Sequence, residues 1–159
     1  MADGHEKSNS TTTSTQASTI TSVGNQFITG NSDWTTADAD GSQRSALWSK
    51  TDGTGVCPVG FRVPTITELK TETLDYAGVD NTTTGAVKVI DSATAFSNFL
   101  KFPVAGYRSY SNGSVGGQGS WGYVWSLSDS QIVYFDSIGA YNGSAPRTNG
   151  FSVRCVEGN

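Results

Sequence analysis

The fold of this chain depends on two segments, CPVGFRVPT at residues 57–65 and NGFSVRC at residues 149–155. Each segment carries one of the only two cysteines in the sequence, and both stand among abundant Ser, Thr and Gly. This pattern is typical of an exported, oxidised protein, so we expect a disulfide between Cys57 and Cys155 that ties the first half of the domain to its last strand. The alternative is a pair of unpaired buried thiols, since free cysteine is among the most buried residue types.

Composition argues against several classes of function. The length of 159 residues suits one domain with a hydrophobic core, and 35% hydrophobic with 15% charged residues indicates a loop-rich domain with a neutral, polar surface. A net charge of -4 and ten scattered basic residues argue against a nucleic-acid partner, which needs clustered Lys and Arg. No apolar run approaches the about 18 residues that span a bilayer, so membrane insertion is not expected.

The N-terminal residues differ from the rest of the chain. Residues 8–22 are almost entirely Ser, Thr, Asn and Gln, and such a stretch buries too little apolar surface to offset its own ordering entropy. We therefore expect a polar arm over residues 1–22, flexible or ordered by a partner, before a domain at residues 23–159. The start, MADGHEK, lacks the basic and apolar regions of a secretion signal. Either a longer precursor is cut, or the chain leaves its cell within an assembled particle.

The clearest helix is predicted directly after Pro64. Thr65 as N-cap, with Glu68 three residues later, forms a capping box, and Ile66 and Leu69 fall on one face. Glu68 is therefore expected to be structural, although Glu68 and Glu72 could also be imagined as an acid/base pair one helical turn apart.

A second helix is predicted from residue 91 or 92 to residue 101. Phe96, Phe99 and Leu100 have helical spacing and are expected in the core, and Pro103 stops the helix.

After residue 101 the hydrophobic period becomes that of strands. Short β segments, separated by Gly-rich stretches or Asn-Gly turns, are predicted at residues 104–110, 122–128, 132–137 and 150–156, with the Asn-Gly turns at 112–113 and 142–143. The side chains expected in the core of this half are Trp125, Phe135, Phe151 and Val153. Two helices followed by a run of antiparallel strands predict an α+β domain.

Four segments resemble the Fibrobacter major paralogous domain family, namely CPVGFRVPTITEL, FPVAGYRSY, GSWGYVWSLS and NGFSVRC. This family is a branch of the C-type-lectin-like fold, which also includes formylglycine-generating-enzyme-like domains and the variable proteins of diversity-generating retroelements. The resemblance runs from about Trp34 to Val156. It implies two helices flanking a small twisted antiparallel sheet, with long Gly-rich loops projecting from one side.

The chain departs from this family at its N-terminus. Family members usually carry a strand before an Asp-Gly-His sequence, and here Asp3-Gly4-His5 stands at the very start. A missing first strand would leave a sheet edge open, which favours strand addition from another chain. We therefore expect a homo-oligomer or a larger assembly that forms through the N-terminal arm.

Candidate catalytic and metal-binding residues are few. The single histidine is His5, so neither a Ser-His-Asp arrangement nor a Cys/His zinc site is supported. Formylglycine-generating enzymes use two nearby cysteines, a pair that this chain lacks. The stretch at residues 38–41, Asp-Ala-Asp-Gly, resembles half of a calcium loop, but the remaining ligands are missing. A turn is the favoured interpretation there, and no catalytic residue or cofactor is expected, with calcium as the one alternative.

Ligand binding is expected in the Gly-rich C-terminal loops. Tyr and Trp supply rigid amphipathic area, and Ser, Gly and Asn supply adaptable hydrogen bonds, as in antibody paratopes. By resemblance to the retroelement-diversified relatives, this part of the fold carries the ligand-facing residues. The candidate ligand-binding residues are Tyr107, Arg108, Tyr110, Asn112, Gln118, Trp121, Tyr123, Tyr141, Asn142 and Arg147. Because alternate Tyr and Trp in strands are also core residues, Tyr107 and Trp121 have both interpretations.

These observations lead to one expected function and two alternatives. The expected function is a non-enzymatic recognition or adhesion module, displayed extracellularly on a phage particle or a bacterial surface, that binds a cell-surface glycan or protein. The first alternative is a structural subunit of a fibre, tail or capsid, which the polar arm and the open edge favour. The second is an enzyme of the formylglycine-generating type, which the missing residues disfavour.

Overall fold

A computed structural model describes residues 11–21, 24–73, 91–97 and 101–158. Within these ranges the chain forms three short helices and ten short strands in four small sheets, which confirms the α+β class. The helices are α1 (Ser42–Trp48), α2 (Ile66–Thr73) and α3 (Ser92–Ser97). The strands are β1 (Thr12–Thr13), β2 (Phe27–Ile28), β3 (Phe61–Arg62), β4 (Tyr107–Arg108), β5 (Val115–Gly116), β6 (Gly122–Trp125), β7 (Gln131–Phe135), β8 (Ala140–Ser144), β9 (Ser152–Val153) and β10 (Val156–Glu157).

The largest sheet has the strand order β8-β7-β6-β9. Strands β6, β7 and β8 form an antiparallel meander, whereas β9 runs parallel to β6, with Val124 opposite Ser152. The sheet is therefore mixed, whereas a wholly antiparallel sheet was predicted. The reason lies in the connection after β8, which crosses one face of the sheet before the chain enters β9 beside β6.

Side chains alternate between the two faces of this sheet and pack into two separate clusters. One face, which carries Val124 and Val133, meets α2 and α3 in a cluster completed by Leu69, Ala95, Phe102 and Phe135. The other face carries Trp125 and Ile132 and meets α1 and the long loops, in a cluster completed by Ile28, Trp34, Trp48, Cys57 and Val63. Trp125 and Phe135 are buried as predicted, while Phe151 and Val153 are half-buried at the margin.

The turn between β7 and β8 lies elsewhere than predicted. Asn142-Gly143 was expected to form a turn, but both residues lie inside β8. The chain reverses at residues 136–139 instead, where Oδ1 of Asp136 accepts hydrogen bonds from the backbone N–H groups of Ile138 and Gly139. An Asp side chain that bonds its own turn is as effective a turn signal as Asn-Gly. The predicted Asn112-Gly113 turn is confirmed, between β4 and β5, with Gly113 at φ 72°.

Helix α1 was not predicted from the sequence. Its first turn is held by carboxylates of the preceding turn: Asp38 accepts hydrogen bonds from the backbone N–H groups of Gln43 and Arg44, and Asp40 accepts one from Ser42. The turn predicted at residues 38–41 is thus present, closed by a bond from Gly41 N–H to Asp38 O.

The capping box of α2 is confirmed. Thr65 Oγ1 accepts a hydrogen bond from Glu68 N–H at 3.2 Å, and Oε2 of Glu68 accepts one from Thr65 N–H at 2.8 Å. Glu68 also pairs with Arg62 at 2.6 Å, which joins the helix start to β3. The hydrogen bonds from Arg62 and Thr65 lower the pKa of Glu68 to about 2. Glu68 is therefore structural, as expected.

The second predicted helix is present but its expected core face is partly wrong. Ala95 is fully buried, whereas the neighbouring Phe96 is 66% exposed. Phe102, after the helix, enters the core in its place, and Lys101 at φ 51° has already left helical geometry. Phe99 and Leu100 lie outside the described residues.

Residues 11–21 of the predicted arm bond to their own domain. β1 pairs in parallel with β2, and Ala17 exchanges backbone hydrogen bonds with Trp34 and Thr36. The side chain of Gln16 adds a bond to Asp33 O. This part of the arm therefore obtains hydrogen-bond partners within its own chain, while residues 1–10 lie outside the described residues.

The expected disulfide is confirmed. Cys57 and Cys155 are bonded across 98 residues of sequence. Next to the bridge, β10 pairs antiparallel with β3, and Gly158 N–H donates to Gly60 O. Within the described ranges, no helix is long and apolar enough to cross a membrane.

We predict that alkylation of the native chain without reductant modifies neither Cys57 nor Cys155, as measured by intact mass. Replacing both by Ser should lower the free energy of unfolding by up to about 4.7 kcal/mol, because the bridge closes a loop of about 100 residues. Alkylation of both thiols in native material would contradict the bridge.

We further predict a pH-dependent cost for Glu68→Gln. Since the fold lowers the pKa of Glu68, its carboxylate stabilises the fold fully above the reference value of 4.5, and this contribution is lost as pH falls towards about 2. The substitution should cost about 1 kcal/mol at neutral pH, because the pair is partly exposed, and almost nothing at the acidic end. Urea unfolding across this pH range measures it. Glu157→Gln, at an exposed carboxylate of β10, is the matched control, and an equal cost at both pH limits would refute the assignment.

Candidate binding groove

An open groove lies on the face of the large sheet that carries Tyr123. Its volume is about 390 Å³, within the range of about 300–1,000 Å³ that is typical of small-ligand sites. We call it the aromatic groove. Its lining residues are Tyr107, Ser109, Tyr110, Tyr123, Ile132, Tyr134, Gly143, Ser144, Ala145, Pro146, Asn149 and Phe151.

Tyr123 is the centre of the aromatic packing in this groove. Its ring contacts four others: Phe151 at 4.7 Å and Tyr134 at 5.8 Å are stacked with interplanar angles of 13° and 15°. Trp121 stacks at 6.0 Å, and Tyr107 meets the ring edge-on at 5.5 Å and 78°. Each such contact adds about 0.5–1.5 kcal/mol beyond area burial. The row of rings is therefore a rigid part of the fold as well as a surface.

Strand register places these rings in a row. Tyr123 of β6 lies directly opposite Tyr134 of β7, which in turn lies opposite Tyr141 of β8. Because directly opposite residues project from the same face, three consecutive strands each contribute one tyrosine to it. The Tyr134 and Tyr141 rings stack at 5.2 Å.

Gly143 keeps the groove open beside this row. It lies opposite Ile132 on the groove face, and a Cβ added there would lie 3.4 Å from the ring of Tyr134. Its backbone is not in the left-handed region, so a larger residue could adopt the same conformation. The absence of a side chain at Gly143 thus determines the depth of the groove.

One side of the groove, opposite β4, is formed by the connection between β8 and β9, which includes Ala145, Pro146 and Asn149. We call this connection the wall. Asn149 fixes this wall to the hairpin across the groove, because its Oδ1 accepts a hydrogen bond from Tyr110 N–H at 3.0 Å. Its Nδ2 donates to Pro146 O at 3.1 Å within the wall. The buried amide of Asn149 therefore fixes the distance between the two sides of the groove.

Arg147 anchors the same wall from behind. Its guanidinium pairs with Asp33 and Asp129 and also donates to Ala39 O and Ser130 Oγ. Arg44 joins the network through Asp33 at 2.8 Å. All three guanidinium nitrogens of Arg147 are engaged in these bonds, so the side chain holds the wall and does not face the groove.

Charges in this network stabilise one another. Burial raises the pKa of Asp33, but hydrogen bonds from Arg44 and Arg147 outweigh that effect, and the net pKa is lowered. Burial lowers the pKa of Arg147, while the bonds to Asp129 and Asp33 raise it above its ordinary value. Asp33 and Arg147 are therefore both ionised at neutral pH, and their charges are directed at each other.

No acidic or basic side chain lines the aromatic groove. Its lining contains no Asp, Glu, Lys, Arg or His, and its polar groups are tyrosine hydroxyls, Ser109, Ser144 and the amide of Asn149. Burial is the largest cause that raises the pKa of Tyr123, and the nearby phenols of Tyr107 and Tyr134 raise it further. This phenol therefore stays protonated. The site therefore offers a ligand hydroxyl groups and apolar ring surface, but no charged group.

The structure brings together about half of the predicted ligand-binding residues. Tyr107, Tyr110 and Tyr123 line the aromatic groove, and Trp121 and Tyr141 stack on its rings at the two ends.

The other candidates lie elsewhere. Arg108 rests its guanidinium 4.2 Å from the Phe27 ring centroid and donates to Gly113 O. Asn112 and Gln118 lie in exposed turns, and Asn142, opposite Val133, lies on the other face of the sheet from Tyr141. Arg147 belongs to the ion network behind the wall.

Sequence reasoning missed several groove residues. Tyr134 was not singled out, although its alternation with Ile132 in one strand could have placed it on a shared face. Phe151 was assigned to the core. The wall residues Pro146 and Asn149 carry no local signal, because only the crossing of the chain over the sheet brings them there.

Two other cavities are less suited to a ligand. One beneath Trp34, Trp48 and Trp125 has about 30 Å³, which is room for about one water molecule. The other, of about 540 Å³, lies behind the wall, where its charged residues, Asp33 and Arg147, already pair with each other. Among the described residues, no three His, Cys, Asp or Glu side chains are grouped as a metal site would need.

Comparison of the chain with protein-family models, with curated proteins and with solved structures finds no match.

We predict that Tyr123→Ala lowers the free energy of unfolding by about 3 kcal/mol, because it removes four ring contacts at once. Tyr123→Phe keeps the ring and should cost less than about 1 kcal/mol. Urea unfolding measures both. Equal losses for the two variants would show that the hydroxyl, and not the ring packing, is what matters.

Proposed function

We propose that this chain is a non-enzymatic recognition module of the C-type-lectin-like fold that binds a cell-surface glycan or protein through the aromatic groove. The observation that carries the proposal is the row of tyrosines on three adjacent strands, beside the open space at Gly143. Binding sites are typically concave, with aromatic walls and a few fixed polar groups, and the groove has both features.

The lining favours a ligand with uncharged polar groups. The lining residues include no cation that could pair with a phosphate, sulfate or carboxylate of a ligand. The nearby Arg147 is already paired with Asp33 and Asp129. Hydroxyl or amide groups can instead exchange hydrogen bonds with the phenols and serines. Sugar hydroxyls and peptide amides both have this chemistry.

Recognition without catalysis is supported by what lines the groove. Its residues include no His, Asp, Glu or Lys that could act as a general base at neutral pH. Cys57 and Cys155, the only two cysteines of the chain, are joined in the disulfide, so neither is available as a free thiol.

Display outside the cell is supported by the same bridge. Disulfides persist in oxidising surroundings, on virions and on cell surfaces. Cys57 and Cys155 connect the first half of the domain to its C-terminal segment, 98 residues further along the chain, so the bridge is part of its architecture. A phage particle or a bacterial surface is the location we propose.

The test is binding of the labelled chain to an array of neutral and acidic oligosaccharides and to an array of bacterial surface proteins. We expect Tyr110→Ala to weaken binding by about 30-fold or more, the effect of about 2 kcal/mol at a hot spot. Tyr110 is 38% exposed, so the loss of its ring should leave the melting temperature almost unchanged. Gly143→Val should abolish binding, because it fills the groove with a residue that suits a strand.

Phe96→Ala is the matched control, since it removes an exposed aromatic ring from α3, away from the groove. It should bind as the unmodified chain does. Binding that survives both Tyr110→Ala and Gly143→Val would place recognition elsewhere, and no binding to either array would contradict the function.

A further inference from the structure

Strand β8 is an edge of the large sheet, since among the described residues it pairs only with β7. Its five residues, Ala-Tyr-Asn-Gly-Ser, include no charge and no proline. Edge strands usually carry Lys, Pro or a bulge that prevents association with other chains. β8 carries neither Lys nor Pro, and it pairs with β7 over all five residues without a bulge.

The hydrogen bonds at both ends of the β7–β8 ladder show which backbone groups of β8 face outward. Ala145 N–H donates to Ser130 O, and Asp136 N–H donates to Gly139 O, each at 2.9 Å. Hydrogen-bonded pairs alternate along an antiparallel ladder, so Tyr141 and Gly143 bond towards β7. The N–H and C=O groups of residues 140, 142 and 144 therefore point away from the sheet.

The groove face of β8 has a complementary pattern. Tyr141 and Gly143 both belong to that face. Tyr141, which is 41% exposed, carries a large ring there, and Gly143 carries no side chain. They are placed symmetrically about Asn142, one residue to each side. A two-fold axis through Asn142 would bring Tyr141 of one strand opposite Gly143 of another.

We propose that β8 pairs with β8 of a second copy of this chain, antiparallel and centred on Asn142, so that Tyr141 of each copy lies over Gly143 of the other. Asn142 then exchanges two backbone hydrogen bonds with its symmetry mate, and residues 140 and 144 bond to each other. Tyr141 and Gly143 form the closely spaced pairs, with Cα atoms about 4.5 Å apart.

The side-chain fit supports this register over others. Beside Gly143 lies the ring of Tyr134, which a Cβ at position 143 would already meet at 3.4 Å. A tyrosine ring from the second copy, standing beside this glycine, would lie near Tyr134 and form an outer wall of the aromatic groove without filling it. A shift by one residue would place the outward backbone groups of one strand opposite residues that bond to β7, so no hydrogen-bonded ladder could form.

The dimer is symmetric and closed, because the same strand is used on both sides. It joins two four-stranded sheets into one of eight strands, and each copy contributes Tyr141 to the groove of the other. A single pair of short strands buries less area than a stable interface, so association is weak and depends on concentration.

Sedimentation velocity of the full chain, from low micromolar to near millimolar concentration, tests the proposal. We expect a reversible shift from the chain mass of 16.7 kDa to twice that mass. Asn142→Lys should weaken association at least about tenfold, because two ammonium groups would face each other across the axis. Asn142→Pro should do the same without loss of the β7 ladder, since the N–H of residue 142 points outward.

Asn112→Lys, the same change in the exposed β4–β5 turn, is the matched control and should dimerise normally. If Asn142→Pro fails to fold, Asn142→Lys decides the question alone. An unmodified chain that stays monomeric over the whole range would overturn the proposal. So would trimers or larger species, or an Asn142→Lys variant that associates as strongly as the unmodified chain.

Discussion

The parallel return of β9 beside β6 is the constraint on which the rest of the C-terminal half depends. Strands β6, β7 and β8 form a meander, and a fourth strand parallel to β6 can be reached only by a connection that crosses the sheet. That connection runs over the face that carries Tyr123 and Tyr134. A groove is formed because the crossing segment stands above the sheet as a wall and does not pack flat onto it.

A wall of irregular chain needs partners for its polar groups, and these come from distant parts of the sequence. Arg147 reaches Asp33 across 114 residues, and its backbone N–H donates to Ser32 O. The partly buried ion pairs are costly to desolvate, but together with the hydrogen bonds to Ala39 and Ser130 they fix one position of the wall. The charges are thereby removed from the groove, which is left to neutral aromatic and hydroxyl groups.

Much of the local structure could be predicted from the sequence, since its causes lie within a few residues. Thr65 and Glu68 specify a helix start through bonds three residues apart, and that helix is present. Two cysteines in a Ser/Thr-rich chain predicted one bridge. Alternating apolar residues predicted β6 and β7. Tyr107, Tyr110 and Tyr123 were candidates for the site because of their residue type and their Gly-rich surroundings, and all three line the groove.

What only the tertiary structure decided depends on pairing between distant segments. Residue type could not show that Asn142 lies within an edge strand, that Phe96 is exposed while Phe102 is buried, or that Arg147 serves the wall. The sequence by itself determined the bridge, the capped helix and the α+β class, because hydrogen bonds over short spans and cysteine chemistry act locally. The crossing of the chain decided the groove, because a binding surface there requires the strand order of the whole sheet.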